Sequence, residues 1–447
     1  MLGRPLVDSL PELLLVPSKS LVRFASTNPS SSTPSDEKPA VKSTPRTKSV
    51  YGCGLVASGS LMNGSAVKNA FNSEAMELKK PTHITYCNSK AITAIASGFG
   101  FSVFASRTRL YGGGVNIFSN ELKSDGFWSR GRRLMFNVSD QEASDTNGSD
   151  SGVDSDPARE KIIDIAAGRR HFLVATNKRL YAFGDNAHGQ CGQNPEKTQF
   201  LLPNNPKSAG RIELPSDSRL KQVHCTLDSS FVLMESGEIF SFGLGTDGQL
   251  GRRVQPFDWH CKRVEGDLEG VKIVSLKGST DTLMAVSERG ELFMWGQNEY
   301  SQMKPFSAEM QEGFSRHIRL KISPIAYADS TATSCVALTK DGQVYVWGYG
   351  VLGQGPNISS TTRPTLLEAN LFSGGPGDAG LVRRVFAGNT SMFAISEEDN
   401  LFAWGVNRFS HLGLGHSNNQ YFPYQVVLSK RPVSVSAAPD HTLFLLQ

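Results

Sequence analysis

The stretch IIDIAAGRRHFLVATNKRLYAFGDNAHGQCG, Ile162–Gly192, is the fullest copy of a unit that recurs along the chain. It contains two short apolar runs and a third that ends in aromatic–Gly, each set off by turn residues. Short runs rich in Ile, Val, Phe and Tyr between Gly, Asn and Asp read as strands, and none is long enough to favour a helix. The unit is therefore expected to be a small antiparallel sheet.

Other copies align on it: Leu220–Gly251, Val271–Met303, Ile322–Gly355, Leu381–Gly415 and a degenerate Ile92–Asn120. Gly237, Gly290 and Gly342 fall at the hinge between second and third strands, where a tight hairpin needs positive φ. Counting aromatic–Gly positions at Gly52, Gly112, Gly184, Gly243, Gly296, Gly348 and Gly405 gives seven units. Their period suits a propeller or a solenoid, and a four-stranded sheet with a loop suits a propeller blade.

The copy VYGCGLVASGSLMNG, Val50–Gly64, lacks its first strands, and PVSVSAAPDHTLFLLQ, Pro432–Gln447, supplies them. Val435–His441 aligns with Ile165–His171. An open stack leaves sheet edges exposed and needs capping repeats. One blade completed from both ends instead closes a ring, so the expected fold is all-β, a seven-bladed β-propeller.

The pattern AAGxxH…LYxFGxNxxGQxG resembles the regulator of chromosome condensation repeat, over about residues 50–447. VYVWGYGVLGQGPN (Val344–Asn357) and NQYFPYQVV (Asn419–Val427) resemble the mitochondrial branch of that family. The resemblance implies a seven-bladed propeller that promotes guanine-nucleotide exchange on a GTPase by docking one face. For the mitochondrial branch it implies a dynamin-like GTPase of inner-membrane fusion. It also implies a part in mitochondrial ribosome biogenesis, through large-subunit rRNA and assembly or pseudouridylation factors. A pure protein or RNA scaffold without exchange activity is the alternative, and peripheral association with the inner membrane is compatible with either.

With 39% hydrophobic residues the chain can bury a large core, and its net charge of +4 does not by itself imply nucleic acid. No apolar run reaches the roughly 18 residues of a membrane helix. The six cysteines form no Cys-x-x-Cys pair and read as small buried residues of a reducing compartment. Residues 1–25 carry Arg4, Lys19 and Arg23 between apolar patches and read as a mitochondrial presequence, although Asp8, Glu12 and three prolines weaken the pattern. Residues 26–49, rich in Pro, Ser and Thr, read as a disordered linker, and the Ser/Asp/Glu-rich segment at about 121–160 as a flexible acidic insertion.

No catalytic motif, cofactor signature or metal-ligand spacing is present, and no carboxylate or His cluster of a propeller enzyme is legible. YGGGVN at Tyr111–Asn116 reads as turn chemistry rather than a phosphate loop. His171 and His441 share one repeat position, with Ser230 and Phe101 read as their equivalents, and are expected to bond a neighbouring turn. Trp295, Trp347 and Trp404 are expected to pack between blades. Basic pairs recur at Arg132-Arg133, Arg169-Arg170, Arg252-Arg253, Lys262-Arg263 and Arg383-Arg384. Of these, Arg169, Arg170, Arg252 and Arg253 fall in loops suited to phosphate contacts. Tyr300, Tyr349, Phe409 and His411 follow the aromatic–Gly motif, where partner contacts are made.

Overall fold

The computed structural model describes residues 48–63, 76–115, 117–118, 127–135, 160–203, 210–304 and 306–447. The expected presequence, nearly all of the linker and most of the acidic insertion lie outside the described residues. The unit described is the compact body Arg46–Gln447.

Blade 1 opens with β1 (Ser49–Leu55) and β2 (Glu77–His83). Blade 2 holds β3 (Ala94–Gly98), β4 (Phe101–Ala105), β5 (Leu110–Val115) and β6 (Phe127–Leu134). Blade 3 holds β7 (Ile162–Ala167), β8 (His171–Thr176) and β9 (Leu180–Asp185), and two short pieces, β10 (Phe200–Leu201) and β11 (Arg211–Ile212), both pair with β9. Blade 4 holds β12 (Leu220–Cys225), β13 (Ser229–Met234), β14 (Ile239–Leu244) and β15 (Phe257–Arg263). Blade 5 holds β16 (Ile273–Ser279), β17 (Thr282–Ser287), β18 (Leu292–Gln297) and β19 (Gln311–Ile318). Blade 6 holds β20 (Ile325–Ser330), β21 (Ser334–Thr339), β22 (Val344–Tyr349) and β23 (Ser360–Leu367). Blade 7 holds β24 (Val382–Ala387), β25 (Ser391–Ser396), β26 (Leu401–Gly405) and β27 (Gln420–Val426). The last strands, β28 (Pro432–Ala437) and β29 (His441–Leu446), return to blade 1, whose order is β2-β1-β29-β28. The ring is closed as the split repeat requires, with Val50 opposite Leu445 and Gly54 opposite His441.

The core lies between blades. The second strand of every blade (β4, β8, β13, β17, β21, β25 and β29) is buried at each residue. Such a strand packs on both faces, so apolar residues fill its middle rather than alternating, and its polar residues fall mainly towards its ends. At the junction of blades 2 and 3, Phe101 and Val103 meet Phe172 and Val174. At the closing junctions, Phe393 and Ile395 meet Phe444 and Leu446, and Leu443 and Leu445 meet Ile95 and Phe104. Trp295, Trp347 and Trp404 sit in these junctions as expected. The indole N–H of Trp295 donates to the Gln249 carbonyl at 2.8 Å, and that of Trp347 to the Gln302 carbonyl at 2.6 Å. Outermost strands are exposed, and Pro81, Pro364 and Pro423 within them remove ladder donors from the sheet edge. All six cysteines are free, and only Cys261 is not fully buried.

Candidate interaction face

Within each blade the turn from the first to the second strand and the loop after the third strand emerge at the same end. One contact fixes them together. The carbonyl of the residue before each second strand accepts a backbone N–H from the end of the third strand: Arg170 from Asp185, Asp228 from Leu244, and Asp281 from Gln297, each at 2.9 Å. The glycine just before that donor has positive φ, +105° at Gly184 and +94° at Gly296. A Cβ there would lie 2.3 Å from the Arg170 carbonyl and 1.9 Å from that of Asp281. Only glycine fits. The same contact identifies Gly54 and Gly114 as the equivalent positions in blades 1 and 2, against the Asp440 and Gly100 carbonyls. The sequence expectation of Gly52 and Gly112 is therefore corrected by two residues, one full pleat.

The repeat-position histidines also act at this end. His171 Nε2 lies 3.0 Å from Ser230 Oγ in blade 4, and Ser230 Oγ donates to the Gln190 carbonyl at 2.7 Å. His441 Nε2 lies 2.9 Å from Ser102 Oγ in blade 2, and its Nδ1 lies 3.1 Å from Asp440 Oδ1. By register Ser229, opposite Gly243, is the residue equivalent to His171, while Ser230 is the partner that receives it. Ser102, His441 and Asp440 have the order of a hydrolytic triad. Ser102 and His441 are wholly buried in a blade junction, and the His–Ser pair recurs at His171, so the arrangement is a brace. Burial, with Arg169 adding to it, pulls His171 down to about 3, which keeps it neutral.

Above these braces is a cluster of charge. Arg169 donates from Nε to Asp228 Oδ1 at 3.3 Å and from Nη2 to Oδ2, bridging blades 3 and 4. Asp185 and His188 lie near Asp228, Asp247 lies near Asp281, and Asp281 accepts from Gln249 Nε2 at 2.9 Å. Burial raises Asp228 while Arg169 opposes it. Burial, with Asp247 adding to it, lifts Asp281 to about 6. Four carboxylates thus gather here with Arg169 and His188. At the same end, on blades 5 and 6, the rings of Tyr300 and Tyr349 stack at 6.0 Å, with Tyr349 half exposed. The Tyr300 loop is braced by Asn298, whose Oδ1 accepts from the Met303 N–H at 2.7 Å. Asn186 and Asn407 hold the matching loops of blades 3 and 7.

The sequence candidates divide between this face and the interior. Arg169, Arg170, Tyr300 and Tyr349 are on the face, as is Phe409, whose ring lies under the Arg408 guanidinium at 5.4 Å. Arg253 is exposed in the loop after the third strand of blade 4. Arg252 is instead buried, donating to Ser241 Oγ and paired with Asp258 at 3.3 Å. Burial works against charge on Asp258, but bonds from Lys262 and His260, with Arg252 close by, carry its carboxyl down to about 2. His411 is buried too, and burial lowers it to about 4. Both residues serve the scaffold rather than the surface. Asp228, Asp281 and Asp440 escaped the sequence reading, although each immediately precedes a second strand and that common position was a usable signal.

The seven first strands line an axial cavity of about 210 Å³. Contrary to the sequence expectation, it does gather Asp164, His224, Lys277 and Asp329. Asp164 accepts from the Val223 N–H at 3.0 Å, His224 donates to the Gly278 carbonyl at 2.7 Å, and Asp329 accepts from the Ala387 N–H at 2.8 Å. Each bond joins one blade to the next. Burial raises Asp164 and Asp329 to about 6 and lowers His224 to about 3. The polar lining thus latches the inner strands together.

The family model "Regulator of chromosome condensation (RCC1) repeat" matches residues 178–233 and 398–445, and a second model of that repeat matches residues 162–190. The human "RCC1-like G exchanging factor-like protein" is 29% identical over 369 residues, 79% of this chain and 76% of its own length. The Arabidopsis thaliana "Ultraviolet-B receptor UVR8" is 23% identical over 71% of this chain and 69% of its own. The crystal structure of human WBSCR16 superposes with a TM-score of 0.78 at 27% identity, over 89% of this chain and 100% of that one. Yeast RCC1 (Prp20), solved bound to Kap60, shares the fold with a TM-score of 0.69 at 16% identity, over 90% of this chain and 89% of that one.

Proposed function

This chain is a regulator of chromosome condensation repeat protein, and from that premise we propose that it acts as a guanine-nucleotide exchange factor-like regulator of a mitochondrial GTPase. The observation that carries the proposal is the single face on which Asp185, Asp228, Asp247 and Asp281 gather with Arg169, at the end of the propeller that also carries the Tyr300–Tyr349 pair. Carboxylates on a rigid frame complement the cationic phosphate site of a GTPase emptied of nucleotide, and exposed tyrosines supply apolar area at low entropic cost. A surface that binds the empty GTPase more tightly than the loaded one lowers nucleotide affinity by the same factor. In this reading the propeller makes and breaks no covalent bond. The relative's printed name, a G exchanging factor-like protein, agrees with it.

The GTPase is proposed to be the dynamin-like enzyme of inner-membrane fusion, met in the matrix or at the inner membrane. Among the described residues no helix is long and apolar enough to cross a membrane. Release of labelled GDP from candidate mitochondrial GTPases tests the reading. Acceleration by this protein is expected, and its absence across all candidates would sink it.

A second activity, in mitochondrial ribosome biogenesis through large-subunit rRNA, is supported by the opposite end of the propeller. There Arg107, Lys178, Arg211, Arg219, Lys272, Arg289 and Lys340 are exposed among Glu213, Asp217, Glu235 and Glu288, with Lys272 paired to Glu288 at 2.8 Å.

A further inference from the structure

At the end of the propeller that carries the Arg169 cluster, exposed apolar side chains are unevenly spread. Between third and fourth strands, blade 4 exposes Val254 and Phe257, and blade 5 exposes Tyr300, Phe306 and Met310. Blade 6 adds Tyr349, the last residue of β22, and Ile358. The corresponding connections of blades 3 and 7, residues 186–199 and 406–419, expose no large apolar side chain among the described residues.

Backbone contacts join these positions into one arc. The Arg253 N–H donates to the Gly313 carbonyl of blade 5 at 2.8 Å, with Arg253 held at a φ of +100°. A Cβ on Gly313 would lie 3.0 Å from the Val254 nitrogen. A non-glycine residue keeps such a φ only where its surroundings fix it, so Val254 is presented on a rigid support. Just ahead of β19 the Met310 carbonyl accepts the Asn298 N–H at 2.8 Å, and Tyr300 of the same connection stacks on Tyr349 of blade 6. The Gly355 N–H of blade 6 donates to the Tyr421 carbonyl at 3.0 Å, and a Cβ on Gly355 would lie 2.9 Å from Phe422 Cζ. Tyr421 and Phe422 are both exposed, so the outer strand of blade 7 completes the arc.

We propose that this arc is where the GTPase partner is held, through an apolar strip of its own surface, while the carboxylate cluster at the same end steers its approach. The proposal rests on the exchange reading above and divides the work of docking. Charge sets the rate of encounter, and buried apolar contact sets the lifetime of the complex. The exposed side chains together offer several hundred Å² of apolar area, which suits the roughly 800 Å² that each partner buries in a standard protein interface. Apart from the buried Arg252, the connections of blades 4 and 5 carry Asp247, Glu299 and Glu309 against Arg253 and Lys304, and residues 350–359 of blade 6 carry no charge. Cations are therefore not in excess, and neither an anionic bilayer nor RNA is drawn to the arc. A second copy pairing this end with itself would bring two carboxylate clusters into one interface.

The experiment immobilises candidate mitochondrial GTPases, each stripped of nucleotide, and passes the full chain over them at several salt concentrations. Val254→Ser, Met310→Ser and Ile358→Ser together are expected to speed dissociation at least about tenfold, with the association rate and its salt dependence unchanged. Leu366→Ser with Val427→Ser, which alters exposed apolar residues at the other end, is expected to leave both rates as they are. Met310→Ser alone, at the most exposed of the three positions, should move the same way if the triple variant melts early. A GTPase that the native protein stimulates, but that the triple variant leaves at the native rate, overturns the arc and leaves the exchange reading intact. Neither binding nor stimulation with any candidate overturns both. Capture by vesicles of phosphatidylcholine and an anionic phospholipid, or dimers seen in sedimentation, reassigns the arc to a membrane or to a second copy if the triple variant abolishes it, and overturns the proposal.

Discussion

Ser102 Oγ and His441 Nε2 lie 2.9 Å apart in the folded protein and 339 residues apart in the chain. This contact joins blade 2 to the strand that closes blade 1, and both partners are wholly buried. His441→Ala removes one partner of the bond to Ser102 and of the contact to Asp440, and is expected to lower stability by about 2–4 kcal/mol through lost packing and an orphaned hydroxyl. Chemical denaturation measures this, and Ser102→Ala should cost less because the ring is retained. Equal losses in the two variants would count against the brace.

Ring closure makes the last strands indispensable. Without Pro432–Gln447, β28 and β29 are gone, and the apolar faces of blades 2 and 7 lose Leu443, Leu445, Phe444 and Leu446. Such a truncation is expected to abolish a single cooperative melting transition and to expose dye-binding apolar surface. Removing residues 1–25 should leave the melting temperature as it is and affect delivery alone.

Gly296 and Gly270 both have positive φ, at +94° and +74°. A Cβ at Gly296 would lie 1.9 Å from the Asp281 carbonyl, whereas at Gly270 nothing lies within 4 Å. Gly270→Ala carries only the left-handed backbone cost, about 1 kcal/mol, and Gly296→Ala adds a clash with backbone that cannot move. Gly296→Ala is expected to cost more than about 3 kcal/mol, in the range of strained core substitutions. Melting curves of the two variants side by side decide it.

How far the sequence reached follows from these positions. Blade number, strand order and closure were legible because hydrophobic runs and turn residues repeat. Which glycine faces the turn carbonyl was not, because YGCG and YGGG each offer alternatives and only pairing with His441 or Phe101 selects Gly54 and Gly114. Arg252 and Arg253 look alike as letters. After Gly251 the chain turns so that Arg252 points inward to Ser241 and Asp258, a pairing across β14 and β15 that local sequence does not encode. Tyr300 and Tyr349 were legible from their place after the aromatic–Gly motif, Tyr349 as the last residue of β22, but their stacking required neighbouring blades. The acidic cluster was missed because its members come from different blades and meet only in the ring.

Acid stability separates two sets of buried groups. His171 and His224 are held at about 3, below the roughly 6.5 of an unfolded chain. Their neutral burial is fully favourable above pH ~6.5 and is lost as the pH falls towards ~3, at up to about 1.4 kcal/mol per unit for each group. Asp164 and Asp329, raised to about 6, have the opposite sign: their contribution is complete below the unfolded value near ~3.9 and is lost as the pH rises through ~6. Between those limits the two sets oppose one another. His171→Gln is expected to melt lower at pH ~7 and to lose less on acidification than the native protein, by about one proton in the slope. Thermal melts across that interval give the slope directly.

The tyrosine pair separates docking from folding. Tyr349 is half exposed and Tyr300 somewhat less so, and their mutual stacking is worth about 0.5–1.5 kcal/mol. Tyr349→Ala should therefore change stability by no more than about 1 kcal/mol. If the face is a docking surface, truncating one central aromatic costs about 2 kcal/mol of partner affinity, a loss of roughly thirtyfold. GDP-release assays on the responsive GTPase should show that loss in the concentration needed for half-maximal stimulation, with the maximal rate less affected. Arg169→Ala acts differently, because it leaves Asp228 without its cation and increases the negative charge of the cluster. For a partner that presents cations, association should then speed up at low salt, and the gain should fade as the ionic strength rises. A slower association with Arg169→Ala would mean that the partner meets this face through its own negative charge, and the carboxylate cluster would lose its assigned part in docking.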